Sequence, residues 1–487
     1  MEPRKSGIAK YEEVDEQYLE QRKLRKCAGW VLLWALGVGA VISGDFGGWN
    51  YGLSHGGFVG LTIGTLLMAV MYVCMVFSIA ELSAALPHAG GFFSFTRNAF
   101  GPVGGFVCGM TDAIEYVLTP AVIVFVIGGY MAKLAPGVPA PVWWVAYYVV
   151  FVGINARGVE LTLKVGLLVT LVALAVLVAF YVSVLWTGSF SSELLFLDQA
   201  GQPTGWLPGG WRSVFATLPF AIWFYLAIEQ LPLAAEESHN VERDMPKALI
   251  LGIATLLLLS LCTLVLNSGV GQGAGALGAS DAPLGDGLEA VFGISPTSRV
   301  FTIIALTGLI ASFHTIIYAY GRVLFALSRA GYIPRWISVT GGSQTPVIAL
   351  VLGAAVGLVC TVALHVTGGS GHVGAALLNM AVFGAVLSYV MVMLSFIKLR
   401  IRRPDLPRPY RSPLGIPGAL VGTLLALMAL AATLTVEEYR PAVIGVIAFL
   451  LIGIAYFVLY SRSRLVAQAP EEENALIAEA ERELAHE

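Results

Sequence analysis

The 487-residue sequence predicts an all-α polytopic membrane protein of twelve transmembrane helices, on three observations: its composition, its uncharged runs and the distribution of its positive charge. Hydrophobic residues make up 57% of the chain and charged residues 12%, with a mean hydropathy of +0.79, whereas a soluble domain carries about a quarter charged residues. The runs Leu134 to Ala156, Val165 to Trp186, Ala248 to Ser280, Val300 to Gly321, Trp336 to Ile397, Ser412 to Val436 and Pro441 to Ser461 carry no formal charge. Each reaches or exceeds the roughly 20 residues needed to cross a hydrocarbon core. Soluble enzymes, nucleic-acid binders and disulfide scaffolds are thereby excluded, and the first partner of the chain is the lipid bilayer.

Residues 1–27 are charged and lack an apolar core followed by a cleavage site, so they read as a cytoplasmic tail and not a signal peptide. Apolar stretches bounded by Gly, Pro and charge give helices beginning near residues 28, 57, 101, 141, 162, 212, 246, 298, 346, 373, 413 and 440. With the N-terminus inside, all of the 28 Lys and Arg except Lys133, Arg212, Arg299 and Arg440 fall on the cytoplasmic side. That asymmetry places both termini in the cytoplasm of a multi-pass plasma-membrane protein, with a bacterial cytoplasmic membrane expected. The densest basic stretch, Lys398 to Arg411, reads as a topology signal, and the acidic amphipathic segment after Pro470 as a solubilising tail. Outer loops around 187–210, 271–296 and 364–372 are Gly-rich and carry no catalytic cluster. Five isolated cysteines (Cys27, Cys74, Cys108, Cys262, Cys360) indicate neither a metal cage nor a disulfide framework; no cofactor or metal is expected.

Two helices are expected to be discontinuous. The first reads GVGAVISGDFGGWNYG from Gly37 to Gly52, with glycine at six positions around Asp45. Tight helix packing would explain the glycines but not the acid. Unwound backbone at membrane depth requires protein or a cavity to satisfy its freed N–H and C=O groups. The sixth, Phe215 to Glu237, has Pro219 and Pro232 bracketing Trp223, Phe224, Tyr225 and Glu229. Breaks five helices apart point to an inverted-repeat transporter with a solute site near the midplane.

AELSAALPHAGGFFSF (Ala80 to Phe95) resembles the AELxxxxPxxGGxYxF signature of the amino acid-polyamine-organocation transporters, and GPVGGFVCG follows it. Six residues separate Glu229 from Glu236 and Glu237, the FE(x6)EE spacing of that family with Ile228 in place of Phe, and RVLFALSRAGYIP (Arg322 to Pro334) resembles its loop after helix eight. Within the family, ISGDFGGW and IEYVLTPAVIV (Ile114 to Val124) look most like the ethanolamine permease branch. The resemblance implies a LeuT-like fold, two inverted five-helix repeats with discontinuous helices 1 and 6, working by alternating access. Residues 28–402 would then form the ten-helix core, 403–412 a basic cytoplasmic loop, 413–462 helices eleven and twelve, and 463–487 the C-terminal tail.

Family members that carry amino acids usually read GSGIF in the unwound part of helix one, where main-chain N–H groups hold the substrate carboxylate. Here the aligned residues are Ile42, Ser43, Gly44, Asp45 and Phe46. A carboxylate beside those amides repels a carboxylate and attracts an ammonium group, so a small cationic amine is expected. Asp112, Glu115, Tyr116 and Thr119 fall at i, i+3, i+4 and i+7 of helix three, on one face of an otherwise apolar helix. An intramembrane acid costs at least about 2.5 kcal/mol at a helix centre, so it marks an ion or solute path or a paired structural site. Asp45, Asp112, Glu115 and Glu229 have no Lys or Arg at comparable depth.

Trp49, Tyr116, Trp223, Phe224 and Tyr225 are the candidates expected to offer aromatic faces to an ammonium, worth about 0.5–2 kcal/mol, with Trp49 and Trp223 equally readable as ordinary bundle aromatics. Ser43, His314 or Thr315 could meet a hydroxyl. Glu81, Glu236, Glu237, Arg322 and Arg329 are expected at cytoplasmic helix ends as gating or structural ion pairs. Coupling to H+ or Na+ stays open: proton-coupled relatives often place a Lys in helix five where Ala173 stands here, and Ser312 and Thr315 could offer hydroxyls to sodium. The expected function is import of ethanolamine by a secondary active permease. An amino-acid or polyamine carrier of the same fold is the nearer alternative and a membrane solute sensor the more distant one. HExxH, GxSxG and P-loop motifs are missing, so no enzyme is expected.

Overall fold

The computed structural model describes residues 5–6, 8–295, 298–367, 372–435 and 439–486. Helices follow one another along the chain because an apolar segment in lipid must satisfy its peptide groups internally. In order they are α1 (Glu16–Glu20), α2 (Trp30–Val41), α3 (Ser43–Phe46), α4 (Tyr51–Ala85), α5 (Phe92–Leu134), α6 (Ala140–Arg157), α7 (Val159–Thr187), α8 (Gly210–Ala221) and α9 (Val241–Cys262). After them come α10 (Ala274–Leu277), α11 (Pro283–Phe292), α12 (Arg299–Arg329), α13 (Val347–Val366), α14 (His372–Arg402), α15 (Gly415–Thr435), α16 (Arg440–Leu459) and α17 (Pro470–His486). Among the described residues ten helical segments are long and apolar enough to cross a membrane; Trp30–Phe46 is apolar but shorter, and α6 has 18 residues.

Helix starts follow the apolar runs closely, and the two that differ do so for a physical reason. Starts expected near 57 and 101 fall inside α4 and α5, at glycines with non-helical backbone: Gly57 (φ 62°, ψ −174°) and Gly101 (φ 79°, ψ −173°). Both lie in the left-handed half of φ space, where glycine has no Cβ penalty, so the chain turns without interrupting its hydrogen-bonded run for long. The loop expected around 271–296 contains α10 and α11, and that around 187–210 contains a 3-10 turn at Ser192–Phe196. The loop around 364–372 lies partly outside the described residues.

The centre is built from α4, α5, α12 and α14, with the broken first and sixth segments among them. α5 runs along both α12 and α14, α4 packs on α8, and α2 packs on α7 and α9. α15 and α16 lie outside against α14. Leu168, Val359, Leu424 and Leu451 are exposed on α7, α13, α15 and α16, the surface a bilayer would cover.

The termini add a small sheet to the helical fold. β1 (Lys5–Ser6) pairs antiparallel with β2 (Ala9–Glu12), which pairs in parallel with β3 (Leu465–Val466), so the first and last parts of the chain form one small sheet. Both termini therefore lie on one face of the bundle.

Candidate functional site

Two breaks meet at the centre. α2 and α3 are separated at Ile42, and the chain leaves α3 through Gly47 and Gly48. The sixth segment consists of α8, a 3-10 turn at Ile222–Phe224 and a 3-10 stretch at Ile228–Glu237. Tyr225 and left-handed Ala227 (φ 85°) lie in the gap between its two 3-10 pieces. The interruption thus falls between Pro219 and Pro232, as their spacing predicts. Gly44 packs so closely on this second break that a Cβ there would meet the Trp223 carbonyl oxygen at 2.0 Å.

Polar side chains engage the main chain of the first broken segment. Ser312 Oγ accepts from the Ser43 N–H (3.2 Å) and donates to the Gly39 carbonyl (3.0 Å), tying the first break to α12. Thr170 donates to the Ala35 carbonyl at 3.1 Å, and Gln230 Nε2 to the Leu36 carbonyl at 3.0 Å. The Thr315 hydroxyl donates to carbonyls of its own helix, Ala311 and Ser312.

The four intramembrane acids are all buried, at 2% exposure or less, and they divide into two groups. Asp45 Oδ1 accepts from Thr263 Oγ1 at 2.8 Å, while Oδ2 has no partner among the described residues. Thr263 opens a π-helical turn, Thr263–Asn267, and its Oγ1 also lies 2.6 Å from the Tyr181 hydroxyl. On the other side Glu115 and Glu229 lie within hydrogen-bonding reach of each other, and Asp112 within reach of Ser388. Glu229 Oε1 accepts from the Ala227 N–H at 3.0 Å and from the Tyr389 hydroxyl. Among the described residues Glu229 Oε2, both Glu115 oxygens and Asp112 Oδ1 have no donor. None of the described ion pairs reaches any of these four acids.

Aromatic side chains fill the space between the groups. Tyr225 faces Tyr72 at 5.3 Å between centroids, its hydroxyl is 2.9 Å from Ser260 Oγ, and Phe224 stacks on Trp49 at 5.2 Å. Tyr72 donates to Tyr389 at 3.1 Å, which in turn donates to Glu229. Tyr116, next to Glu115 in the chain, is buried as well. A cavity of about 260 Å³ opens beside Ser43, Phe46 and Trp223, lined further by Tyr51, Tyr130 and Asp281. Tyr130 sits at the end of α5 opposite Arg97, so this vestibule lies away from the face that carries the termini.

That terminal face is closed by buried ion pairs. Arg322 holds Glu237 through Nε (3.0 Å) and Nη2 (2.5 Å), and Tyr318 donates to the same carboxylate. Arg329 binds Glu236 and, at 2.6 Å, Glu471. Arg97 binds Glu472 at 2.5 Å, and the Tyr11 and Tyr332 hydroxyls donate to Glu472 at 2.8 and 2.7 Å. Burial and the neighbouring Glu472 push the Tyr11 phenol up from its ordinary range. The acidic tail forms the expected helix, but Glu471 and Glu472 are fully buried, so a purely solubilising role is corrected: α17 is part of the closure. Glu81 likewise receives Arg400 (2.5 Å), Arg408 (3.1 Å) and the Ser412 N–H (2.8 Å); the basic stretch is an ion-pair partner as well as a charge signal.

Ser43, Gly44, Asp45, Asp112, Glu115, Tyr116, Phe224, Tyr225 and Glu229 therefore surround the two breaks. His314 does not join them: Nε2 lies 2.8 Å from the Thr162 carbonyl and Nδ1 3.5 Å from Asn155, directing the ring toward α6 and α7. Sequence reasoning missed Thr263, Tyr72, Tyr389, Ser388 and Gln230. Uncharged residues in apolar runs gave little signal, though a tyrosine such as Tyr389 in mid-membrane needs a polar partner.

Residues 29–460 match the family described as amino acid permease. An uncharacterised transporter of Rhizobium meliloti is 29% identical over 68% of this chain and 71% of its own. The branched-chain amino acid permease of Bacillus subtilis is 25% identical over 91% and 94%. The aromatic amino acid transport protein of Salmonella typhimurium is 23% identical over 88% and 92%.

Proposed function

Because the chain belongs to the amino acid permease family, a family of transporters and not enzymes, we propose that it imports a small organic amine, ethanolamine first, by alternating access. The observation that carries this reading is Asp45: a fully buried carboxylate set where the two breaks meet, with one hydroxyl donor and, among the described residues, no partner for its second oxygen and no basic partner. A buried charge needs a counter-charge, and an ammonium group supplies it. The same carboxylate disfavours a solute bearing its own. Tyr225 and Phe224, the latter stacked on Trp49, offer ring faces for the methylene and ammonium groups.

The architecture in this proposal is LeuT-like, with Trp30–Phe46 and α6 as the remaining two of twelve crossings. The face carrying the termini is cytoplasmic, as the Lys and Arg distribution supports. The ion pairs of Glu236, Glu237, Arg322 and Arg329 then form the inner gate, and the vestibule near Ser43 is the outer approach. Ser312 already bridges the first break with its hydroxyl, which supports a structural role over a sodium ligand.

The names of the two amino-acid permeases above favour a second reading, an amino-acid carrier. Uptake of labelled ethanolamine into proteoliposomes, with proton and sodium gradients imposed separately, tests the first. Unlabelled ethanolamine should compete strongly and alanine or glutamate weakly; the reverse order establishes the amino-acid reading. Binding without counterflow would mean a sensor.

A further inference from the structure

We infer that a chain of two hydroxyls, Tyr181 to Thr263, fixes the Asp45 carboxylate so that the site takes an ammonium group carrying N–H bonds and rejects a quaternary one. This rests on the proposed reading of the protein as an amine carrier and names the class of amine.

The direction of the chain follows from counting protons. Thr263 Oγ1 donates to Asp45 Oδ1 at 2.8 Å, and a hydroxyl has one proton to give. The contact of 2.6 Å between Thr263 Oγ1 and the Tyr181 hydroxyl is therefore a bond donated by Tyr181. The other acceptor near Tyr181, the Leu259 carbonyl, is farther away at 3.3 Å and already receives the Thr263 N–H. A hydroxyl that accepts one bond donates the next more strongly, so Tyr181 strengthens the hold of Thr263 on the carboxylate.

Three elements keep the chain in place. Tyr181 is buried on α7, Thr263 opens the π-helical turn that follows α9, and Asp45 lies on α3. Turns of this kind are frequent at functional sites. The far end of this one is pinned as well, since Asn267 Nδ2 donates to the Pro283 carbonyl at 3.0 Å. Asp45 is thus held by Oδ1, and Oδ2 has no donor among the described residues. The faces of Tyr225 and Phe224 attract a primary and a quaternary ammonium alike, because a ring face answers to charge. Oδ2 discriminates between them. A primary ammonium donates an N–H to it, whereas the methyl groups of a quaternary one leave a buried anionic oxygen without a hydrogen bond.

Titration calorimetry on the purified protein compares ethanolamine with choline. Ethanolamine should bind at least about tenfold more tightly; choline binding as tightly or more so overturns the proposal. Tyr181→Phe keeps the ring and should weaken ethanolamine binding about twofold to tenfold in the otherwise wild-type protein. In a Thr263→Val background it should change nothing further, because the hydroxyl then has no chain to feed. Equal losses in both backgrounds would show packing alone and overturn the chain. Infrared spectroscopy reads the chain without a solute: the carboxyl absorption that Asp45→Asn removes should shift in Tyr181→Phe, in the direction it shifts in Thr263→Val, and an unmoved band overturns it. Should the wild type bind neither amine, the reading of the protein as an amine carrier fails and the selectivity with it, while the infrared result alone decides the hydroxyl chain.

Discussion

Gly44 lies against the carbonyl oxygen of Trp223, with 2.0 Å between that oxygen and the position a Cβ would take. The obstacle is main chain and cannot rotate away, so Gly44→Ala must push the two breaks apart. Overpacking costs typically about 1–3 kcal/mol. The variant should unfold at lower temperature in detergent and lose uptake even where some protein survives. Wild-type melting and transport would mean that the breaks do not form one joint.

Asp45→Asn should leave a folded, monodisperse protein that no longer binds ethanolamine, because it removes the charge while keeping an oxygen for Thr263. Thr263→Val should weaken binding less: the carboxylate remains but loses its hydroxyl donor, a bond worth about 1.5–3 kcal/mol when one partner is charged. Titration calorimetry on the purified variants gives the order. Unchanged affinity in Asp45→Asn would falsify the electrostatic account of amine choice.

The fold was legible where physics acts on runs of residues. A stretch such as Val165 to Trp186 has no alternative to a helix in lipid, and α7 covers it. The breaks were legible too, since Asp45 among glycines and Glu229 between prolines contradict a lipid-facing helix. Pairings between distant residues were not. Nothing local distinguishes Thr263 from other threonines, and the burial of Glu471 and Glu472 depends on Arg329 and Arg97, more than a hundred residues away in the chain. An acidic amphipathic helix reads as solvated until its basic partners are located.

Tyr225→Ala should weaken amine binding more than Trp49→Ala. Tyr225 lies in the gap of the sixth segment, between Tyr72 and Ser260 and within electrostatic range of Asp45. Trp49 stacks on Phe224 from behind, so its loss acts through packing. Ratios of dissociation constants for the two variants check this, and the opposite order would move the solute to the Trp49 side.

Arg329→Ala should destabilise the protein strongly, because Glu236 and Glu471 would both lose their cation in a buried setting. Breaking such a pair from one side costs about 3–5 kcal/mol. Combining Arg329→Met with Glu471→Gln should restore part of the lost melting temperature, since the tail carboxylate is then neutral. No recovery in the double variant would mean that the tail contributes packing and not charge.

His88 gives the closure a pH dependence. It sits in the turn between α4 and α5, where Nε2 lies 2.9 Å from Asn474 Nδ2 of α17. Burial, with a smaller contribution from Arg329, pushes its imidazole down to about 4 from 6.5, against the opposing pull of Glu236. The folded protein holds the neutral ring, whose nitrogen accepts from Asn474, and a protonated Nε2 cannot accept. As the unfolded state binds the proton first, His88 contributes stability fully above 6.5 and loses it as the pH falls toward 4. Amide exchange in residues 470–486 should therefore be faster at about pH 5 than at about pH 7.5 once corrected for intrinsic rates, and His88→Asn should flatten that difference. Equal protection at both values in the wild type would show that the tail contact does not depend on the charge of this ring.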